Sequence, residues 1–360
     1  MSRLPCRDGS AAHGLRSRQR NPVQREGQCN EKDGVQLTAT AHRTVQWLEK
    51  HQVALYLAAM GAGVLLGLTL PAAAPLMEAA INPAIAIMLW STFLAIPLTH
   101  LARGFRDVRF LGILLALNFV AVPLVVWVLT RPLADQPALL VGVLLVLLVP
   151  CIDWVIVFTG LAGGDGARMT AASPVLMVAQ MVLLAPLLLL IGGPGLVVDV
   201  DHGPFVEALF LLLLLPLAAA AAVQTGASRS RAVARVQAAG QGLMVPALML
   251  VLVVVTASQV HAVGSRAGEL IRTVPVFVAF VVVMTAIAAV TVRATRLPTA
   301  TGRAVVFSAV ARNSLVVLPF ALALPERYDL APLVVLTQTL VELVAMVILL
   351  RVVPLAIPTR

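Results

Sequence analysis

The chain has 360 residues, 60% of them hydrophobic and only 12% charged, with a mean hydropathy of +0.95 and a net charge of +9. A soluble domain carries about twice that share of charged residues, so the composition excludes an ordinary soluble enzyme or nucleic-acid module. Three cysteines, two of them at positions 6 and 29, give no disulfide framework.

In chain order, residues 1–46 come first. They are polar, rich in Arg, Gln, Gly and Ser, and lack any apolar run, which predicts a disordered basic tail. They also lack the apolar core of a signal peptide. Windows of about 20 apolar residues follow, each long enough to cross about 30 Å of hydrocarbon. They lie near 49–70, 80–100, 110–130, 137–160, 168–191, 205–223, 240–260, 272–293, 303–323 and 330–353. These define an expected transporter domain over 47–355. With a cytoplasmic N-terminus, twenty-one of the 26 Lys and Arg fall on the inner side. Four fall on the outer side, at Arg131, Arg266, Arg272 and Arg327. That bias places both termini in the cytoplasm and makes the basic charge a matter of topology, with the lipid bilayer and not nucleic acid as its partner.

The fourth and ninth windows carry charges at mid-depth. One holds Asp153 after Pro150 and Cys151; the other holds Arg312, followed by Asn313, Ser314 and Pro319. A charge at the bilayer centre costs about 3 kcal/mol or more, so one that persists is paired or functional. Polar residues at helix breaks are how secondary transporters build sites. The fifth and tenth windows share a further pattern. Pro174 is followed six residues on by Gln180, and Pro332 by Gln338. An offset of five spans is odd, which predicts an inverted repeat with halves near 49–191 and 205–353.

Each candidate has two readings. Cys151 is either a small packing residue or a soft sulfur ligand for a thiophilic centre. Asp153 and Arg312 form either a structural ion pair between the two broken helices or a proton-coupling pair, and the guanidinium, always charged, is also able to stand in for a bound sodium or to hold an anion. Asn313 and Ser314 either cap the broken helix or touch a ligand. Gln180 and Gln338 are expected to hydrogen-bond between helices. Glu342, one turn after Gln338, shares its face and is a functional candidate. Neither a phosphate-binding Gly-rich loop with Lys nor a His pair at metal spacing is present, so no enzyme signature and no cofactor is expected.

PCIDWVIVFTGLAGGD at 150–165, AVARNSLVVLP at 309–319 and QTLVELVAM at 338–346 resemble segments of the bile acid:sodium symporter superfamily. The match is to its arsenical-resistance-3 branch, the arsenite efflux permeases. LAGGD, Leu161–Asp165, is similar to the loop after that family's fourth helix, Cys151 falls at the branch's helix-break cysteine, and Glu342 matches the glutamate of its tenth helix. The resemblance implies an all-α polytopic fold of ten helices, an inverted five-plus-five repeat, and broken fourth and ninth helices that cross. It also implies alternating access, with Cys151, Asp153, Arg312, Asn313, Ser314 and Glu342 near the substrate and Pro150, Gln180, Pro319 and Gln338 at breaks or helix contacts. Two positions depart from it. Pro150 replaces a basic residue, and Val316 replaces an acid that serves sodium in the symporters. The expected function is proton-coupled efflux of arsenite or a related metalloid through a bacterial-type inner membrane, with protons and not sodium as coupling ion. The alternative is a sodium- or proton-coupled symporter of organic anions.

Overall fold

A computed structural model describes residues 47–48, 51–52, 54–95, 107–152, 154–193 and 209–358. The expected tail and Asp153 lie outside them. The chain divides into an N-terminal unit, Met1–His51, and a second unit, Gln52–Arg360, which holds the helical body.

Among the described residues the body is all helix. Its elements are α1 (Ala54–Thr69), α2 (Ala74–Ala95), α3 (Val108–Leu129), α4 (Pro137–Leu147), α5 (Trp154–Leu161), α6 (Gly166–Gly192), α7 (Leu215–Ala227), α8 (Arg231–Gly242), α9 (Met244–Ser265), α10 (Val274–Ala294), α11 (Thr299–Val310), α12 (Ser314–Leu322) and α13 (Ala331–Ala356). Among the described residues, six stretches are long and apolar enough to cross a membrane: Pro71–Ala95, Val108–Leu129, Gly166–Gly192, Met244–Ser265, Ala267–Ala294 and Glu326–Ala356. Their outer faces stay apolar, with Leu76, Val182, Leu190 and Leu355 largely exposed, as lipid-facing surface requires.

The local signals explain the boundaries. Asp107 and Asp165 cap α3 and α6, accepting from the backbone N–H of Phe110 (3.2 Å) and Arg168 (3.0 Å). Within LAGGD, Gly163 turns the chain at φ +68°, a conformation that favours glycine. Pro137 and Pro332 stand in the first turns of α4 and α13, where a missing N–H costs nothing. At the start of the seventh apolar window the amphipathic α8 runs almost directly into α9.

Two ends emerge. At one, Arg168 pairs with Asp107 (3.1 Å) and Asp165 (3.2 Å), while Arg303 donates to the carbonyls of Ala162 (2.8 Å) and Ile357 (3.1 Å). Arg293 reaches Ala356 O at 2.9 Å, and Arg109 bonds Thr295 O. At the other end of α10 and α13, Arg266 pairs with Asp329 (3.1 Å) and Glu269 (3.5 Å). Arg109, Arg168, Arg293 and Arg303, all expected on the inner side, thus lie toward one end of the helical body, and Arg266, expected on the outer side, toward the other.

The core lies where the fourth and ninth apolar windows each split into two half-helices. The first half, α4, packs against α12 and α13, and the second, α5, against α11. Gly142 makes the α4–α13 approach possible, since a Cβ there would sit 2.7 Å from Val334 Cβ and 2.9 Å from Ala331 O.

Candidate functional site

A helix interrupted inside a membrane must find partners for the backbone groups it frees. Here each break serves the other. Pro150 and Arg312 face each other as an antiparallel bridge. Cys151 N donates to Ala311 O at 3.0 Å, and Asn313 N donates to Val149 O at 2.9 Å. Pro150 cannot donate, so the α4 helical ladder lapses there. The two interrupted stretches thus meet as a two-residue ribbon at the crossing of the halves.

The ends of those halves carry opposite partial charge, and the buried ionisable groups follow it. The last carbonyls of a helix have no partner within it and form a negative pole. The Arg312 guanidinium, 2% exposed, lies among such carbonyls. Its Nη2 donates to Ser308 O (2.8 Å) and Ala309 O (2.9 Å), and its Nε to Val310 O (3.4 Å), which are the closing carbonyls of α11. Its Nη1 donates to Leu147 O (3.3 Å), the closing carbonyl of α4. Nη2 also donates to Asn118 Oδ1 at 2.8 Å, and the guanidinium carbon stands 5.4 Å from the Phe280 ring centroid. Asn118 is fully buried and is held by donating to Leu114 O (3.0 Å) and Ser308 Oγ (3.2 Å). It projects from a π-helical stretch, Leu117–Ala121, that interrupts α3.

At the positive pole, Asn313 caps α12, its Oδ1 accepting from Val316 N at 3.2 Å. The Glu342 carboxylate, also buried, accepts the Arg312 backbone N–H with both oxygens, at 3.1 and 3.2 Å. The Gln338 amide donates to the same carboxylate. An anion next to a helix start is favoured by the dipole. Among the described residues no Lys, Arg or His side chain pairs with this carboxylate.

Of the residues expected at a site, Pro150, Cys151, Arg312, Asn313, Gln338 and Glu342 come together at this crossing, and Ser314 opens α12 beside them, buried. Pro319 lies inside α12 and Gln180 is buried in α6. Asp153 lies outside the described residues, and with it the expected Asp153–Arg312 pair. Gln338 differs from expectation in bonding along its own helix, because its i+4 neighbour is a carboxylate within reach. The amide oxygens of Gln180 and Gln338 and the amide nitrogen of Asn313 have no hydrogen-bond partner among the described residues. Sequence reasoning missed Asn118 and Ser308. The available signal was a lone Asn in the middle of the apolar run LGILLALNFVAVPL. Among the described residues, no group of His, Cys, Asp or Glu is placed to hold a metal ion.

A helical body with lipid-compatible faces and paired mid-depth breaks defines a polytopic membrane protein whose polar chemistry sits at its core. Residues 82–266, just over half of the chain, match the model of the Sodium Bile acid symporter family, and the chain belongs to that family. It is a membrane transporter of the bile acid:sodium symporter type. No curated protein matches the chain. The matched stretch includes Cys151 and Asn118 and ends before Arg312 and Glu342.

Proposed function

We propose that this chain is a proton-coupled exporter of neutral arsenious acid or a related metalloid. It works by alternating access, with the substrate held at the crossing of the two broken helices. The observation that carries the reading is the pairing, at one crossing, of the Cys151 break with the Glu342 carboxylate lodged on the opposite break. A thiol at an interrupted helix suits trivalent arsenic, a thiophilic centre. Binding exchanges one As–OH for As–S: the thiol proton leaves with the displaced hydroxyl as water. The Asn313 amide nitrogen, without a hydrogen-bond partner among the described residues, supplies a donor for a remaining hydroxyl. Glu342 is the group that takes and releases the proton. Its bonds to the Arg312 backbone tie its charge state to the closure of the crossing.

The architecture proposed for this is ten membrane passes in two inverted halves of five, α4/α5 and α11/α12 being the equivalent broken pairs. The sorting of arginines to one end supports it, and both termini are assigned to the cytoplasm of a bacterial-type inner membrane. The guanidinium of Arg312 is engaged by five oxygens. That speaks against its use as the carboxylate anchor of an organic-anion symporter.

The test is uptake into everted vesicles, comparing arsenite with organic acids, with and without a pH gradient. Arsenite accumulation that follows the gradient and is lost in Cys151→Ser, with the protein still in the membrane, is the expected result. Full transport by Cys151→Ala removes the thiol from the mechanism, and organic-acid accumulation without arsenite transport moves the chain to the alternative substrate class.

A further inference from the structure

The oxygens around the Arg312 guanidinium have the character of a cation site. Four are backbone carbonyls drawn from the C-terminal ends of two different half-helices, and one is the Asn118 side-chain oxygen. Among the described residues, none of these hydrogen-bond partners is a carboxylate. What collects them is the break itself. Interrupting α4 and α11 at mid-depth leaves closing carbonyls without helical partners, and both negative dipole ends converge on one spot. Oxygen donors of this kind are what hard cations bind in proteins, with carbonyls and side-chain amides as common ligands. Two features show that the place is built for a cation. Asn118 turns its oxygen and not its nitrogen toward the guanidinium, and its nitrogen is fixed away from it by Leu114 O and Ser308 Oγ. The π-helical stretch at Leu117–Ala121 presents that side chain, and such bulges occur often at functional sites.

We propose that the Arg312 side chain is a tethered cation. It fills a monovalent-cation site formed by the ends of α4 and α11, so the crossing closes without a cation taken from solution. The site is one this chain carries permanently loaded. A guanidinium is suited to it, being planar, always charged and able to donate five N–H bonds. Emptying the cage by shortening the side chain leaves a site for a small free cation, with guanidinium ion the best match in shape and sodium the best match in ligand type. The consequence for coupling rests on the transporter reading, whereas the cation site itself does not.

The experiment therefore measures binding without transport. Thermal unfolding midpoints of purified wild type, Arg312→Ala, Arg312→Gln and Arg312→Lys are compared in guanidinium, sodium or choline chloride at one ionic strength. Each variant is read against wild type in the same salt, since guanidinium also lowers midpoints as a denaturant, and wild type should gain nothing in sodium over choline. Arg312→Ala should be the least stable in choline, and guanidinium or sodium should raise its midpoint, by about 5 °C at saturating salt. Arg312→Lys, which keeps the charge, should lie nearer wild type than Arg312→Gln. If Arg312→Ala accumulates only when a small cation is supplied, that supports the same conclusion. The proposal is overturned if Arg312→Ala and Arg312→Gln match wild type in choline and ignore the cations. Failure of all three variants even with guanidinium present also overturns it, because the covalent side chain and not its charge would then be the requirement. A cation response in vesicle-inactive protein leaves this proposal standing and brings down the transport reading alone.

Discussion

Replacing Asn118 by Ala tests how the buried charge is held. The amide accepts one bond from the Arg312 guanidinium at 2.8 Å and donates two, to Leu114 O and Ser308 Oγ. A hydrogen bond to a charged group contributes about 1.5–3 kcal/mol. Hydrogen bonds inside a membrane bundle average about 0.6 kcal/mol each. Together these give a loss of about 3–4 kcal/mol, some of it recovered if water enters the space. For a protein of this size that corresponds to a fall in unfolding midpoint on the order of 4–6 °C. Asn118→Asp keeps the acceptor and loses the two weaker bonds, so its midpoint should lie between those of wild type and Asn118→Ala. The measurement is thermal unfolding of purified protein in one lipid or detergent at fixed salt. A change below about 2 °C for Asn118→Ala, or a variant order with Asp below Ala, would refute the argument that this amide oxygen holds the guanidinium.

Glu342→Gln should remain in the membrane, because the amide oxygen still accepts the Arg312 N–H, yet lose accumulation driven by a pH gradient while retaining substrate exchange; gradient-driven uptake equal to wild type would exclude the carboxylate from coupling. Gly142→Val forces side-chain atoms into Val334 and Ala331 across the α4–α13 contact and should cost about 1–3 kcal/mol, read as a lowered unfolding midpoint. Single cysteines at Ser230 and Asp329, in a background without the native cysteines, should react with impermeant reagents from opposite faces of the membrane, and labelling from the same face contradicts the proposed topology.

The features legible in the sequence are those whose partner is local. Asp165 caps α6 from within LAGGD, Asn313 caps α12, and Glu342 sits one turn from Gln338. Each follows from spacing of three or four residues. The two helix breaks were also readable, since a proline close to a charge in the middle of an apolar window is costly to keep in an unbroken helix. What sequence could not provide is the identity of the partners of Arg312. Backbone carbonyls have no letter of their own, so reading the sequence for a partner of Arg312 finds carboxylates such as Asp153, which lies outside the described residues. Asn118 was overlooked for a related reason. A single amide in an apolar helix has no periodicity, and its importance depends on α3 lying against α11, a long-range contact. Gln338 was expected to reach across helices because membrane amides commonly do, but a carboxylate four residues on captured it.

The departure at Val316 and the packing of Arg312 bear on one question from two directions. Val316 is buried, and its backbone N–H is committed to the Asn313 cap, so the first turn of α12 offers no acid there to a cation from solution. The carbonyls on the opposite pole are already bonded to a cation the chain supplies itself. A sodium ion entering the crossing would have to displace a guanidinium that is covalently attached and favourably placed, at an effective concentration no free ion matches. With no acid at Val316 and the opposite carbonyls bonded to Arg312, the titratable groups at the crossing among the described residues are Glu342 and the thiol of Cys151. A carboxylate that binds the backbone of the break has a direct mechanical link to it. Protonation weakens its hold on the Arg312 N–H, and with it the contact between α13 and the start of α12. The proposed cycle accordingly puts its coupling on this carboxylate.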